Sequence, residues 1–127
     1  IMASELRVNT LKDASGNNSV ALSTVAEGSA KAWVHWNGES TAAIRDSFNF
    51  ASLSDSGTGD YTFSYTTNQS DTTYCSTVST SRASNAQALI SSSTTFNTAN
   101  IDSVSVHDEG VAEDTENGCL AVHGDLA

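Results

Sequence analysis

From Tyr61 to Thr66 the chain reads Tyr-Thr-Phe-Ser-Tyr-Thr, with an aromatic ring at every second position and a small hydroxyl between. Successive side chains of a strand point to opposite faces, whereas a helix would scatter these rings around its axis. The segment therefore predicts a half-buried strand, with Tyr61, Phe63 and Tyr65 inward and Thr62, Ser64 and Thr66 outward. The same period recurs along the chain. In 30–36, Ala32, Val34 and Trp36 share one face while Lys31, Trp33 and His35 share the other. A tryptophan on each face predicts that both lie against something. Residues 43–51 read as one strand with Ile44, Phe48 and Phe50 on its apolar face. Asp46 falls on that face too, a misfit for which Arg45 and Lys31 are candidate neutralising partners.

Further short strands are predicted at 5–10, 19–25, 73–80, 94–97, 100–107 and 119–123. Residues 82–90 could form a short helix through Ala83, Ala86, Ala88 and Leu89, but β elements on both sides favour a turn followed by a strand at 87–91. Clusters of Gly, Asn and Asp at 13–18, 37–38, 54–60 and 68–71 supply turns, because these residues tolerate positive φ or bond their own backbone. Residues 108–118 read as an acidic loop. The sum is an all-β fold, an antiparallel β-sandwich-like domain over 29–127. Residues 1–28 hold few large apolar side chains and are expected to form an extended N-terminal arm, an attachment segment. Met2-Ala3 reads like a start site, which predicts a gene product of nearly this length.

Composition narrows the function. Five Lys and Arg against fifteen Asp and Glu give a net charge of −10. Binding nucleic acid or an anionic membrane needs clustered cations, so neither is expected as a partner. No apolar run is long enough to insert into a bilayer, and no secretory signal is visible. Ser and Thr number 21 and 15, so the strands are clad in hydroxyls and the core of one chain is thin. Burial between chains is the natural supplement, and Leu6, Val8 and Leu11 of the arm, or Trp33 of the domain, are the candidate assembly residues. Cys75 and Cys119 are too few for a disulfide scaffold, and sequence leaves open whether they are bridged.

Chemistry is sparse. No nucleophile elbow, phosphate loop or zinc-protease motif occurs, and His35, His107 and His123 are scattered. The chain is expected not to be an enzyme and to need no cofactor. Asp108, Glu109, Glu113, Asp114 and Glu116 place five carboxylates within nine residues but lack the order of a calcium-binding loop. They are expected to be exposed loop contacts, with a calcium role left open. His35 could hold a transition metal on a threefold axis, though no paired His-x-His spacing supports this. Trp36, Tyr61 and Tyr74 could offer a sugar platform by residue type, with core packing the stronger expectation.

Three blocks in order carry a resemblance. Ala30-Lys-Ala-Trp-Val-His-Trp-Asn-Gly38, Ala43-Ile-Arg-Asp-Ser-Phe-Asn49 and Ser54-Asp-Ser-Gly-Thr-Gly-Asp-Tyr61 resemble motifs of small virion structural proteins of bacteriophages, especially marine and cyanobacterial phages. The segment from Glu5 to Gly16 is similar to segments of phage tail fibres. Trp36 stands where the family pattern usually has Phe, and Cys75 and the acidic loop fit no family pattern. The resemblance implies a non-enzymatic virion protein, a tail fibre or tail-associated adhesion component assembled in the host cytoplasm. It also implies a homotrimer whose partners are other virion proteins and a host surface glycan or protein. Capsid decoration as a cement protein is the alternative, and a small lectin or carbohydrate-active enzyme is the more distant one. Loops at 68–72, 87–93 and 108–117 are the expected places for host contact.

Overall fold

The computed structural model describes residues 4, 6–82 and 90–127. Two antiparallel sheets face each other across one apolar core. The first has the order β4-β3-β11-β7, built from β3 (Ala32–Asn37), β4 (Ala43–Phe48), β7 (Cys75–Ser81) and β11 (Asn117–His123). The second contains β5 (Phe50–Gly57), β6 (Asp60–Tyr65), β8 (Ile90–Phe96), β9 (Asn100–Asp108) and the short β10 (Val111–Ala112). In it β9 pairs with β6, β8 and β10, and β6 pairs with β5. The all-β sandwich expected from the sequence is the fold observed.

The core follows the period of the strands. Tyr61, Phe63 and Tyr65 point inward from β6, while Ala32, Val34 and Trp36 point inward from β3. Leu120 and Val122 of β11, Ile101, Val104 and Val106 of β9, and Phe50 and Tyr74 complete the cluster. Trp36 joins the two sheets, with its ring 4.8 Å from Phe63 edge-on and 5.8 Å from Tyr61. Such tilted and edge-on pairs add to burial because the positive ring edge meets the negative ring face. Gly118 on β11 faces Trp36 on β3, and a Cβ there would lie 2.2 Å from the indole. The largest core side chain thus fits because its neighbour has none.

Residues 43–51 are not one strand. A bulge between His35 and Trp36 sets Asp46 opposite His35 but Ile44 opposite Trp36, leaving Arg45 as the extra residue. An extra residue reverses the inward–outward alternation. Ile44 therefore packs against the core, whereas Asp46 and Phe48 are exposed. The misfit of Asp46 disappears, and its expected partners bond elsewhere: Arg45 to His35 and Asn117, Lys31 to the carbonyls of Ala26 and Ser29. Asn49, at φ 57°, then ends β4 and redirects the chain into the second sheet, returning Phe50 to the core. Its side chain accepts from the Thr67 amide and donates to the carbonyls of Lys31 and Thr67, fixing this corner. Asparagine tolerates the left-handed region better than most residues.

The N-terminal segment differs from an extended arm. β1 (Thr10–Lys12) and β2 (Ser19–Ala21) form a separate hairpin, followed by α1 (Leu22–Gly28). The strand expected at 19–25 is thus a strand for three residues and then the start of a helix of about two turns, and residues 6–8 hold no strand. The turn at 13–18 is as expected. Asp13 accepts from the Ser15 hydroxyl, the Asn17 amide and the Asn18 side chain, and these bonds hold its carboxyl below the usual range. The helix or strand expected within 83–89 lies outside the described residues, and β8 runs from Ile90.

Two outcomes follow. Gly118→Ala is expected to lower stability by roughly 1–3 kcal/mol, the cost of overpacking a filled core, read from the urea midpoint. All three tyrosines are buried, and burial raises each phenol above its ordinary value of about 10. The folded state thus keeps protons that the unfolded chain releases. This contribution to stability is intact below pH 10 and declines as pH rises toward the folded values. In an alkaline titration, phenolate absorbance should appear together with loss of the β circular dichroism signal. A graded tyrosine titration near pH 10 in a folded protein would contradict this placement.

Candidate interaction surface

Because alternate residues of the first sheet fill the core, the residues between them form its outer face. Trp33 lies opposite Phe48 on β4 and opposite Ala121 on β11, which in turn lies opposite Thr77 on β7. The next row runs Asp46, His35, Cys119 and Ser79. Directly opposed residues hold their Cβ atoms about 4.5–5.5 Å apart, so Trp33 and Phe48 are cross-strand neighbours on one face. Trp33 is 39% exposed and Phe48 50%. On the β11 and β7 side of Trp33 is a shallow groove of about 280 Å³ whose lining includes Trp33, His35, Thr77, Ser79, Cys119 and Ala121. Among the described residues no segment covers this face.

The polar side of the face is organised around Arg45. Its guanidinium donates to Nε2 of His35 at 3.2 Å and to Oδ1 of Asn117. Arginine can only donate, so His35 Nε2 is the acceptor and its lone pair is already engaged. That nitrogen therefore faces a cation rather than an open coordination site. His107 lies on β9 in the other sheet, and His123 lies at the far end of β11. Among the described residues no group of three or more His, Cys, Asp or Glu side chains could hold a metal ion.

The structure separates the candidate residues. Trp33 belongs to the outer face just described. Leu6 and Leu11 are exposed in the N-terminal segment and Val8 is half-buried there, and none joins the Trp33 face in the strand register. Trp36, Tyr61 and Tyr74 are core residues, as the packing expectation had it. The residue pattern predicts Phe48 inward; it stands outward because of the bulge at Arg45, which leaves no mark in that pattern. The two thiols are free and exposed. Cys119 lies opposite Ser79, four residues along β7 from Cys75. At about 3.3 Å per residue that offset exceeds the roughly 7 Å a disulfide can span.

The acidic loop is corrected as well. Of its five carboxylates only Glu109, at a turn with φ 48°, is exposed; Asp108, Glu113, Asp114 and Glu116 are half-buried. Glu113 pairs with Arg82, and Asp114 Oδ1 accepts from the Gly59 amide at 2.8 Å and the Tyr61 hydroxyl at 3.1 Å. Thr115, fully buried, donates to the carbonyls of Ser81 and Asn117, while its own carbonyl accepts from the Gly38 amide. Residues 113–117 are therefore a strap that ties the hairpin between β5 and β6 to the first sheet. The sequence shows the charge of this strap but not its partners, which for Glu113 and Asp114 lie 31 to 55 positions away.

The chain matches no known family model, no curated protein and no solved structure. The outer face and the strap thus rest on their own geometry.

Asp114→Ala should destabilise the fold by roughly 1–3 kcal/mol, since it strands the Gly59 amide and Tyr61 hydroxyl. Asp114→Asn, which keeps an acceptor oxygen, should cost less, and Glu109→Ser should be near neutral. Thermal midpoints of the three variants give the ranking.

Proposed function

We propose that this protein is a non-catalytic assembly and adhesion module of a bacteriophage particle, acting in or beside the tail. The observation that carries the binding half is two half-exposed aromatics, Trp33 and Phe48, on paired strands of an uncovered sheet face. Exposed aromatics with an apolar surround mark surfaces that meet another molecule, because they gain most from leaving water. The particle half is supported by the ordered resemblance blocks within 30–61, and the whole aromatic pair lies inside them. The sandwich itself is suited to such work. Its outward positions on β6 and β7 include Thr62, Ser64, Thr77 and Ser79, which stay hydrated, and its inner positions close on a single aromatic cluster. Partners are further copies of the chain, neighbouring particle proteins and, through the same face or the exposed loops, a host surface group.

Labelling the chain in intact particles tests this directly. Signal at the tail is the expected result; signal distributed over the head would instead assign a capsid-decoration role. Absence from purified particles would remove the particle reading altogether.

A further inference from the structure

We propose that the outer face of the β4-β3-β11-β7 sheet packs against the same face of a second copy, with Trp33 within the contact and Phe48 at its β4 edge. This rests on the assembly reading above and names the partner of that face. The charge distribution singles the face out. The chain carries −10 overall, yet the two central rows hold a single carboxylate, Asp46, and its chain neighbour Arg45 brings the opposite sign to the same edge. The other carboxylates nearby sit off the two ends of the strands. Glu27, Asp71 and Asp125 border the hollow at Cys75 and His123, and Glu39 and Glu116 border the one beyond Asn37 and Arg45. Copies of so acidic a chain repel each other over most of their surface. The face that is apolar and locally neutral is where they can meet.

The size of the face sets the strength of the contact. Four strands spaced about 4.8 Å apart and six or seven residues long, at about 3.4 Å each, give a plane of roughly 400 Å². That is about half of the 800 Å² per partner of a standard stable interface, so the contact belongs to the weak, concentration-dependent class. Many copies held close in an assembly would engage it. A face that meets its own kind does so about a twofold axis, with residue i touching j and j touching i. Pairing through this face therefore gives a dimer rather than the threefold association implied by the resemblance.

Salt provides a signature. Apolar contact is indifferent to screening, but repulsion between the two acidic bodies weakens as the Debye length shortens. Association should therefore tighten with added salt.

Sedimentation equilibrium of the full chain, from about 1 to 500 µM and in low and high sodium chloride, tests the pairing. The expected result is a monomer–dimer equilibrium that tightens severalfold in high salt, with the Trp33 share of the fluorescence shifting to the blue on association. Phe48→Ser should weaken it about tenfold or more. Thr77→Glu, an exposed change that places a carboxylate on the face without touching the core, should do the same with an unchanged circular dichroism spectrum. Ser52→Arg, on β5 of the other sheet, should leave the dimer intact. A monomer at every concentration and salt, a trimer mass, association that weakens with salt, or a dimer indifferent to Thr77→Glu would each overturn the proposal. None of these results would remove the chain from a labelled particle, so the two readings fail separately.

Discussion

The structure depends on how one indole is accommodated. Trp36 is fully buried between the sheets, and its ring meets Tyr61 and Phe63 on the opposite side. A chain with nine aromatics and few large aliphatics has little else with which to fill the space between two sheets about 10 Å apart. The ring fits because Gly118, directly across on β11, carries no side chain, and because Gly38 leaves room for the Tyr61 hydroxyl. From Tyr61 the constraint passes to Asp114, and from the Asp114 strap to the Gly59 turn and the buried Thr115. Core packing and strap are thus one connected unit.

The same economy explains the outer face. Filling the core from alternate positions of β3 and β11 leaves the intervening residues outside, and on β3 one of these is Trp33. The bulge at Arg45 does two things at once. It turns Ile44 inward, and it aligns Phe48 with Trp33. A ring that the alternation would have placed in the core is exchanged for Phe50, which reaches the core only after the left-handed turn at Asn49. The aromatic pair on the surface is therefore a product of strand irregularity. It also stands apart from the carboxylate-rich segment 108–116, which begins on β9 of the other sheet.

Much of the fold was legible in the residues. The period of two in Tyr61–Tyr65, in Ala32–Trp36 and in Leu120–Val122 assigned strand and inward face together, since neither property depends on what lies opposite. The Asp13 turn was legible for the same reason, being closed by neighbours within five positions. The strand over 43–51, the strand continuing through 22–25 and the exposed acidic loop were misread. The first and last of these required knowledge of partners elsewhere in the chain: His35 and Trp36 for the bulge, Tyr61 and Gly59 for Asp114, Arg82 for Glu113. Of the interaction surface, Trp33 could be named beforehand and Phe48 could not.

By itself the sequence determined an all-β chain, the inward residues of its regular strands, the acidic charge that disfavours phosphate-bearing partners, and the hydroxyl-clad surface. These are local or summed properties, set by side-chain chemistry and strand period. The tertiary structure alone decided which carboxylates are solvated and which tie the sheets together, that Cys75 and Cys119 stand too far apart to bridge, and that two rings share one uncovered face. Those outcomes turn on register between paired strands, where a single extra residue such as Arg45 reverses the facing of the rest of its strand, here Asp46 and Phe48.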